Sequence, residues 1–160
     1  MTALLIHHLA DYDLWANDHF IDRLRKEPDA VLDAAVASSF PSLRQTILHM
    51  RNAVHTWHGR LMGTPTAWPA NDLSDIGDLV VHVRTLHAAV LKMDDADLFH
   101  ECTYRDLRGN AYAQPAWQLL LHCFNHNTQH RGQLITMMRA LGRDDIPATD
   151  LVRYQRTLRA

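Results

Sequence analysis

What most constrains this chain is that apolar residues recur at three- and four-residue steps through four long stretches separated by short joints. A period near 3.6 gives a helix one apolar stripe, whereas a half-buried strand alternates every second residue. The first stretch runs from Thr2 to Lys26 with Leu5, Leu9, Tyr12, Ala16, Phe20 and Leu24 in phase, and Glu27-Pro28 ends it. The second opens on Ser42-Leu43-Arg44-Gln45. This is a capping-box pattern in which Ser42 accepts from backbone amides while Gln45 reaches back. That helix should stop at Gly63, with Pro65 beyond. A third fits Ser74 to Met93, carrying Leu79, Val83, Leu86 and Val90. The fourth begins at Pro115, a favoured first-turn position, and runs through Leu141 to a stop at Gly142. Its Trp117, Leu120, Leu121, Phe124, Leu134, Met137 and Met138 supply core volume. Residues 94–114 break the helical pattern. Within them Thr103-Tyr104-Arg105 and Ala111-Tyr112-Ala113 flank Leu107-Arg108-Gly109-Asn110, the makings of a small β-hairpin. The expected fold is an all-α four-helix bundle, one domain over residues 1–160, with a hairpin before the last helix.

Composition narrows the function classes. Of the 160 residues 47% are hydrophobic, enough for a continuous core. The formal net charge is -2 and the 16 Lys+Arg are dispersed, which gives no electrostatic footprint for nucleic acid. No window approaches the ~18 consecutive apolar residues of a membrane span. Asp11 and Asp13 interrupt the N-terminal apolar run, which also lacks a leading Lys or Arg, so a cytoplasmic protein is expected. The two cysteines, Cys102 and Cys123, lack CxxC spacing and read as packing residues.

The unusual number is 12 histidines. His122, His126 and His130 follow one another at four-residue steps on the fourth helix and share nearly one face. Residues four apart rise by ~6 Å and can converge on one ion, but eight apart means ~12 Å, too far for Zn–N bonds of ~2.0–2.1 Å. One ion therefore takes one adjacent pair, and a third ligand must come from a facing helix. His49 suits, flanked by Ile47, Leu48, Met50 and Ala53, with His55 and His58 as rivals on the same helix. For His7, His8, His19, His82, His87 and His100 the bland reading holds, a histidine with a satisfied hydrogen bond. For a buried triad the metal reading is favoured, because unpartnered imidazoles are costly in an apolar core.

Taken in order, Tyr12, Trp15-Ala16-Asn17, His49, Trp57, Arg60-Leu61, His122, Asn125-His126, His130-Arg131-Gly132-Gln133 and Asp150 to Tyr154 resemble the DinB/YfiT-like family of metal-dependent helical bundles. The likeness spans nearly the whole chain. It implies His49, His126 and His130 as ligands of one divalent ion, with His122 packed behind them. Where the family has His-His before the arginine, this chain has Gln129-His130, which keeps the position in helical phase. The family's damage-inducible name further implies expression under stress.

Three neutral histidines leave a coordination position free for water or substrate, the open arrangement of catalytic sites. Imidazole suits zinc or nickel, and also cobalt, copper or iron. Such an ion acidifies a bound thiol or water. Relatives with this bundle look like thiol-dependent S-transferases and isomerases, so transfer from a low-molecular-weight thiol to a small-molecule substrate is the leading expectation. Hydrolysis is the second, and a non-catalytic metal-binding bundle the third. No general base stands out. Asn125 and Gln133 are candidate polar groups of the pocket, and Arg131 either attracts an anionic substrate or forms a surface salt bridge. A homodimer is expected if Trp15 and Trp57 lie on exposed faces; otherwise they belong to the core.

Overall fold

The computed structural model describes residues 1–64, 73 and 75–159. Four long helices form the body: α1 (Thr2–Leu24), α3 (Leu43–Leu61), α4 (Asp78–Val90) and α6 (Ala116–Ala140). Short helices α2 (Asp29–Leu32), α5 (Asp95–Phe99) and α7 (Leu151–Thr157) and a hairpin of β1 (Glu101–Arg105) and β2 (Ala111–Pro115) occupy the joints and the C-terminal segment. Helix α1 packs on α4 and α6, and α3 packs on the same two, so α1 faces α3 across the diagonal. Two connections must therefore cross the bundle, α1 to α3 and α4 to α6, and these are the ones carrying α2, and α5 with the hairpin.

The core follows the expected stripes. Phe20, Ile21 and Leu24 of α1, Leu43, Ile47 and Met50 of α3, Leu79 and Leu86 of α4, and Leu120, Leu134 and Met137 of α6 all lie in one buried cluster. Chain chemistry sets the helix ends. Ser42 Oγ accepts from Gln45 N at 3.2 Å, so the serine half of the expected box is made while the Gln45 side chain stays exposed. At the other end Gly63 has φ 65° and Gly142 φ 70°, each closing its helix in the left-handed conformation. Thr64 N donates to Gly59 O and Arg143 N to Met138 O, both at 2.9 Å, the six-to-one bond of a Schellman stop.

Several boundaries move. Helix α1 ends at Leu24, two residues short of Lys26. Pro115 is the N-cap of α6, not its first residue, because it also closes β2. The third long helix spans Asp78–Val90 inside the expected Ser74 to Met93; Ser74, like Pro65, lies outside the described residues. The hairpin forms and is longer by two residues on each strand than expected, pairing Thr103 with Ala113 and Tyr104 with Tyr112. Its turn is organised by Asp106, whose carboxylate accepts from Arg108 N and Asn110 N, while Gly109 takes φ 88°. No helix among the described residues is long and apolar enough to cross a membrane.

Candidate metal centre

Helices α3 and α6 run antiparallel, with Thr46 against Met137 at one end and Trp57 against His122 at the other. Between these contacts three histidines meet. His126 Nε2 lies 3.0 Å from His49 Nε2 and 3.1 Å from His130 Nε2, and one nitrogen from each residue falls within 4.8 Å of the other two. His126 and His130 supply the one-turn pair from α6, and His49 closes the third direction from α3.

The surroundings fix the rings. His130 Nδ1 donates to Gln133 Oε1 at 2.7 Å, since an amide oxygen only accepts, and this leaves Nε2 as the lone-pair nitrogen. Gln133 Nε2 in turn donates to Ser39 Oγ at 2.9 Å, which holds the amide with its oxygen toward the imidazole. Phe40 stacks on His49 at 4.4 Å between ring centres and covers that side of the group. Burial, then the neighbouring His130 charge, pushes His49 down to about 4. Burial followed by the charges of His130, His49 and His122 pushes His126 down to about 3. His130 is also lowered by burial, against the Gln133 bond. All three are thus neutral at pH 7, the form a metal ion requires.

The donor set fits a divalent ion. Zn–N bonds of ~2.0–2.1 Å place neighbouring nitrogens about 2.9 Å apart at a right angle and about 3.4 Å apart in a tetrahedron. The observed 3.0 and 3.1 Å lie between these limits. His126 Nε2 is within hydrogen-bond distance of both neighbouring rings, while His126 Nδ1 is buried with no hydrogen-bond partner among the described residues.

A model of the DinB family matches residues 1–158. The chain belongs to the DinB family. It is 22% identical over 151 residues to protein DinB of Bacillus subtilis strain 168, with 87% of each chain covered. Among solved structures, a DinB-like protein of Bacillus subtilis superposes with a TM-score of 0.68 at 16% identity, covering 89% of this chain and 96% of that one. Another from Bacillus cereus gives 0.61 at 18% identity, covering 83% and 89%.

In this DinB-family chain the other expected residues separate from the triad. His122 is exposed and packs at a tilt against Trp57, 4.5 Å between ring centres, its ring 6.0 Å from that of His126. His55 meets His82 instead, at 5.1 Å, and His58 is not part of the three-histidine group. The bland reading holds where partners are seen: His7 with Met93 O, His19 with Trp15 O, and His87 with Asp11. Asn125 is exposed, and Gln133 orients a ligand ring rather than lining an open pocket. Trp15 and Trp57 are both half-buried within their own chain. Both cysteines are free and buried.

Arg131 is corrected more fully. It is neither on the surface nor aimed at a pocket: Nη1 donates to Asp13 Oδ1 at 2.8 Å, with the two side chains 3% and 2% exposed. Asn127 Nδ2 donates to the second carboxylate oxygen at 2.8 Å, and Tyr12 lies under the guanidinium at 5.4 Å. Burial pushes the Asp13 carboxyl up, opposed by Arg131, Asn127 and Asn17. Asp13 and Asn127 were missed as buried polar residues, although both fall in the apolar phase of their helices.

Proposed function

We propose that this DinB-family chain is a metal-dependent enzyme whose His49, His126 and His130 hold one divalent ion, zinc or nickel before cobalt, copper or iron, and that it transfers a small thiol to an electrophilic small molecule. The observation that carries this reading is the convergence of three neutral imidazole nitrogens in a group with no fourth protein ligand among the described residues. A structural site closes its coordination with protein donors, whereas a catalytic one keeps a position open.

When bound, the ion supplies Lewis acidity that lowers the pKa of a thiol or water in that position. The chain's own residues prepare the place for it. Gln133 keeps the proton on His130 Nδ1, Ser39 holds Gln133, and Phe40 excludes water from the His49 face. The thiol must come from outside, because burial pushes both Cys102 and Cys123 up and neither is a ready nucleophile. Hydrolysis is less well supported, since among the described residues no carboxylate belongs to the group that would hold the ion. The buried carboxylate of Asp13 is committed to Arg131.

Metal analysis of the purified protein, followed by electrophiles with and without small thiols, tests the reading. Turnover that needs both metal and thiol is expected. Metal-dependent cleavage of esters or amides without thiol replaces transfer by hydrolysis, and metal binding with no turnover on either panel leaves a non-catalytic metal-binding bundle.

A further inference from the structure

Arg60 has surroundings unlike those of the ion-paired arginines. Its guanidinium carbon lies 4.3 Å from the Trp57 ring centre and 4.7 Å from that of Tyr104, and because those two rings meet edge-on at 5.7 Å it sits in the corner between two aromatic faces. Nη2 donates to Arg105 O at 3.3 Å, while Nε is buried and has no hydrogen-bond partner among the described residues. Arg23, Arg44, Arg51, Arg84, Arg131 and Arg143 each reach a carboxylate, but no ion pair of Arg60 occurs among the described residues. Asp106, whose charge is felt at Arg60, is committed to its own turn through Arg108 N, Asn110 N and Asn110 Nδ2. Burial lowers the affinity of Arg60 for its proton more than Tyr104 and Asp106 restore it. Five N–H donors form the guanidinium fork, and among the described residues one of them has a hydrogen-bond partner.

Its position supplies the second half of the argument. Arg60 follows His49 by 11 residues, close to three helical turns, so both lie on the same face of α3. Long helical side chains lean toward the helix N-terminus, and Arg60 lies back over Trp57 in the direction of His49. Trp57 touches His122 at 4.5 Å, and His122 lies 6.0 Å from His126. A row of rings thus leads from the guanidinium to the histidine triad, and at His122 it is open to solvent.

We propose that Arg60 is an anion-holding residue at the far end of this row of rings, binding a carboxylate on the small molecule whose other end reaches the ion at His49, His126 and His130. The proposal rests on the metal reading above. A partly desolvated guanidinium with donors to spare binds carboxylate through charge-assisted bonds, and the two aromatic faces restrict its orientation. Pinning the hairpin through Arg105 O would use one donor and leave Nε buried for no return.

The test uses cobalt-loaded full-length protein, titrated with ω-mercaptoalkanoic acids of increasing length and with the matching ω-mercaptoalcohols, followed by the cobalt absorption. At one chain length the acid should bind at least about tenfold tighter than its alcohol. Arg60→Gln should abolish that preference with alcohol affinity unchanged, and Arg60→Lys should restore part of it. Equal losses for acid and alcohol, alongside a lowered melting temperature, would make Arg60 a structural pin and overturn the proposal. A second arm titrates metal-free protein with glutarate and follows the Arg60 Nε–H resonance, where a saturable shift absent from Arg60→Gln is expected. If glutarate shifts Arg60 but no thiol perturbs cobalt, thiol transfer falls and the anion site stands. If thiols bind cobalt without acid preference or glutarate shift, the anion site falls and the metal reading stands. Glutarate that binds beside cobalt-seated 2-mercaptoethanol assigns the carboxylate to the electrophile; acid preference among the thiols alone assigns it to the thiol.

Discussion

Helix α6 presents two polar groups to the interior of one bundle, a residue apart in sequence and opposite in character. Arg131 turns toward α1, where its charge meets Asp13 and the remaining carboxylate oxygen is satisfied by Asn127. His130 turns toward α3, where it finds two more imidazoles that offer the same kind of nitrogen. The first cluster is complementary within the chain. The second gathers three neutral imidazoles into a group that could hold a metal ion. A buried polar group that balances itself is part of the architecture, and one that does not balance points to a ligand.

The largest test of this contrast is to unbalance the first cluster. Replacing Asp13 by Leu or Arg131 by Met alone should cost about 3–5 kcal/mol, because either change strands a buried charge, and the double variant should recover much of that loss. Denaturant melts of the three variants read this directly. Removing a histidine should act the other way round. His49→Ala, His126→Ala or His130→Ala should each strip most of the metal while leaving metal-free stability within about 1 kcal/mol of wild type. His122→Ala should keep its metal, and added metal should raise the melting temperature of wild type and His122→Ala alone. Metal content together with thermal melts checks both halves.

A smaller effect is expected at the ring's support. Gln133→Leu removes the acceptor that holds the His130 proton on Nδ1, and metal affinity should fall roughly 10–100-fold with the site still formed. Competition against a chelator measures it. The smallest effect is that of pH on the metal-free protein. His49 and His126 bind protons less readily when folded, at about 4 and about 3 against an ordinary 6.5, so the unfolded chain is favoured by acid. Their contribution is complete above pH 6.5 and is lost as pH falls through that value toward the folded ones. Between pH 7.5 and pH 5 the urea midpoint of wild type should fall more than that of His49→Ala/His126→Ala.

The four long helices were legible because their stripes are long, and the triad because one-turn spacing on α6 allows only an adjacent pair to share an ion. The short helices were not. Helix α5 opens on a complete capping box between Asp94 and Asp97 and buries Leu98 fully, yet five residues carry too few turns for periodicity to register. The Asp13–Arg131 pair left a signal that went unread. Ile6, Ala10, Asp13, Asn17, Phe20 and Leu24 share one buried stripe on α1, and Leu120, Phe124, Asn127, Arg131, Leu134 and Met138 share another on α6. Opposite charges in apolar phase on two helices mark a buried pair, whereas either one alone looks like a surface residue. The surroundings of Arg60 were hidden for a different reason: the second aromatic face is Tyr104 from the hairpin, which sequence spacing does not bring near α3.

The diagonal order of the bundle gives the triad a kinetic meaning as well. His49 and His126 are 77 residues apart, and the intervening chain includes α4, α5 and the hairpin. An ion held between them would act as a reversible cross-link around that loop, so α3 could not part from α6 without first releasing it. Amide exchange in α3 and α6 would then slow on metal loading, while α7, outside the closed loop, would exchange as before.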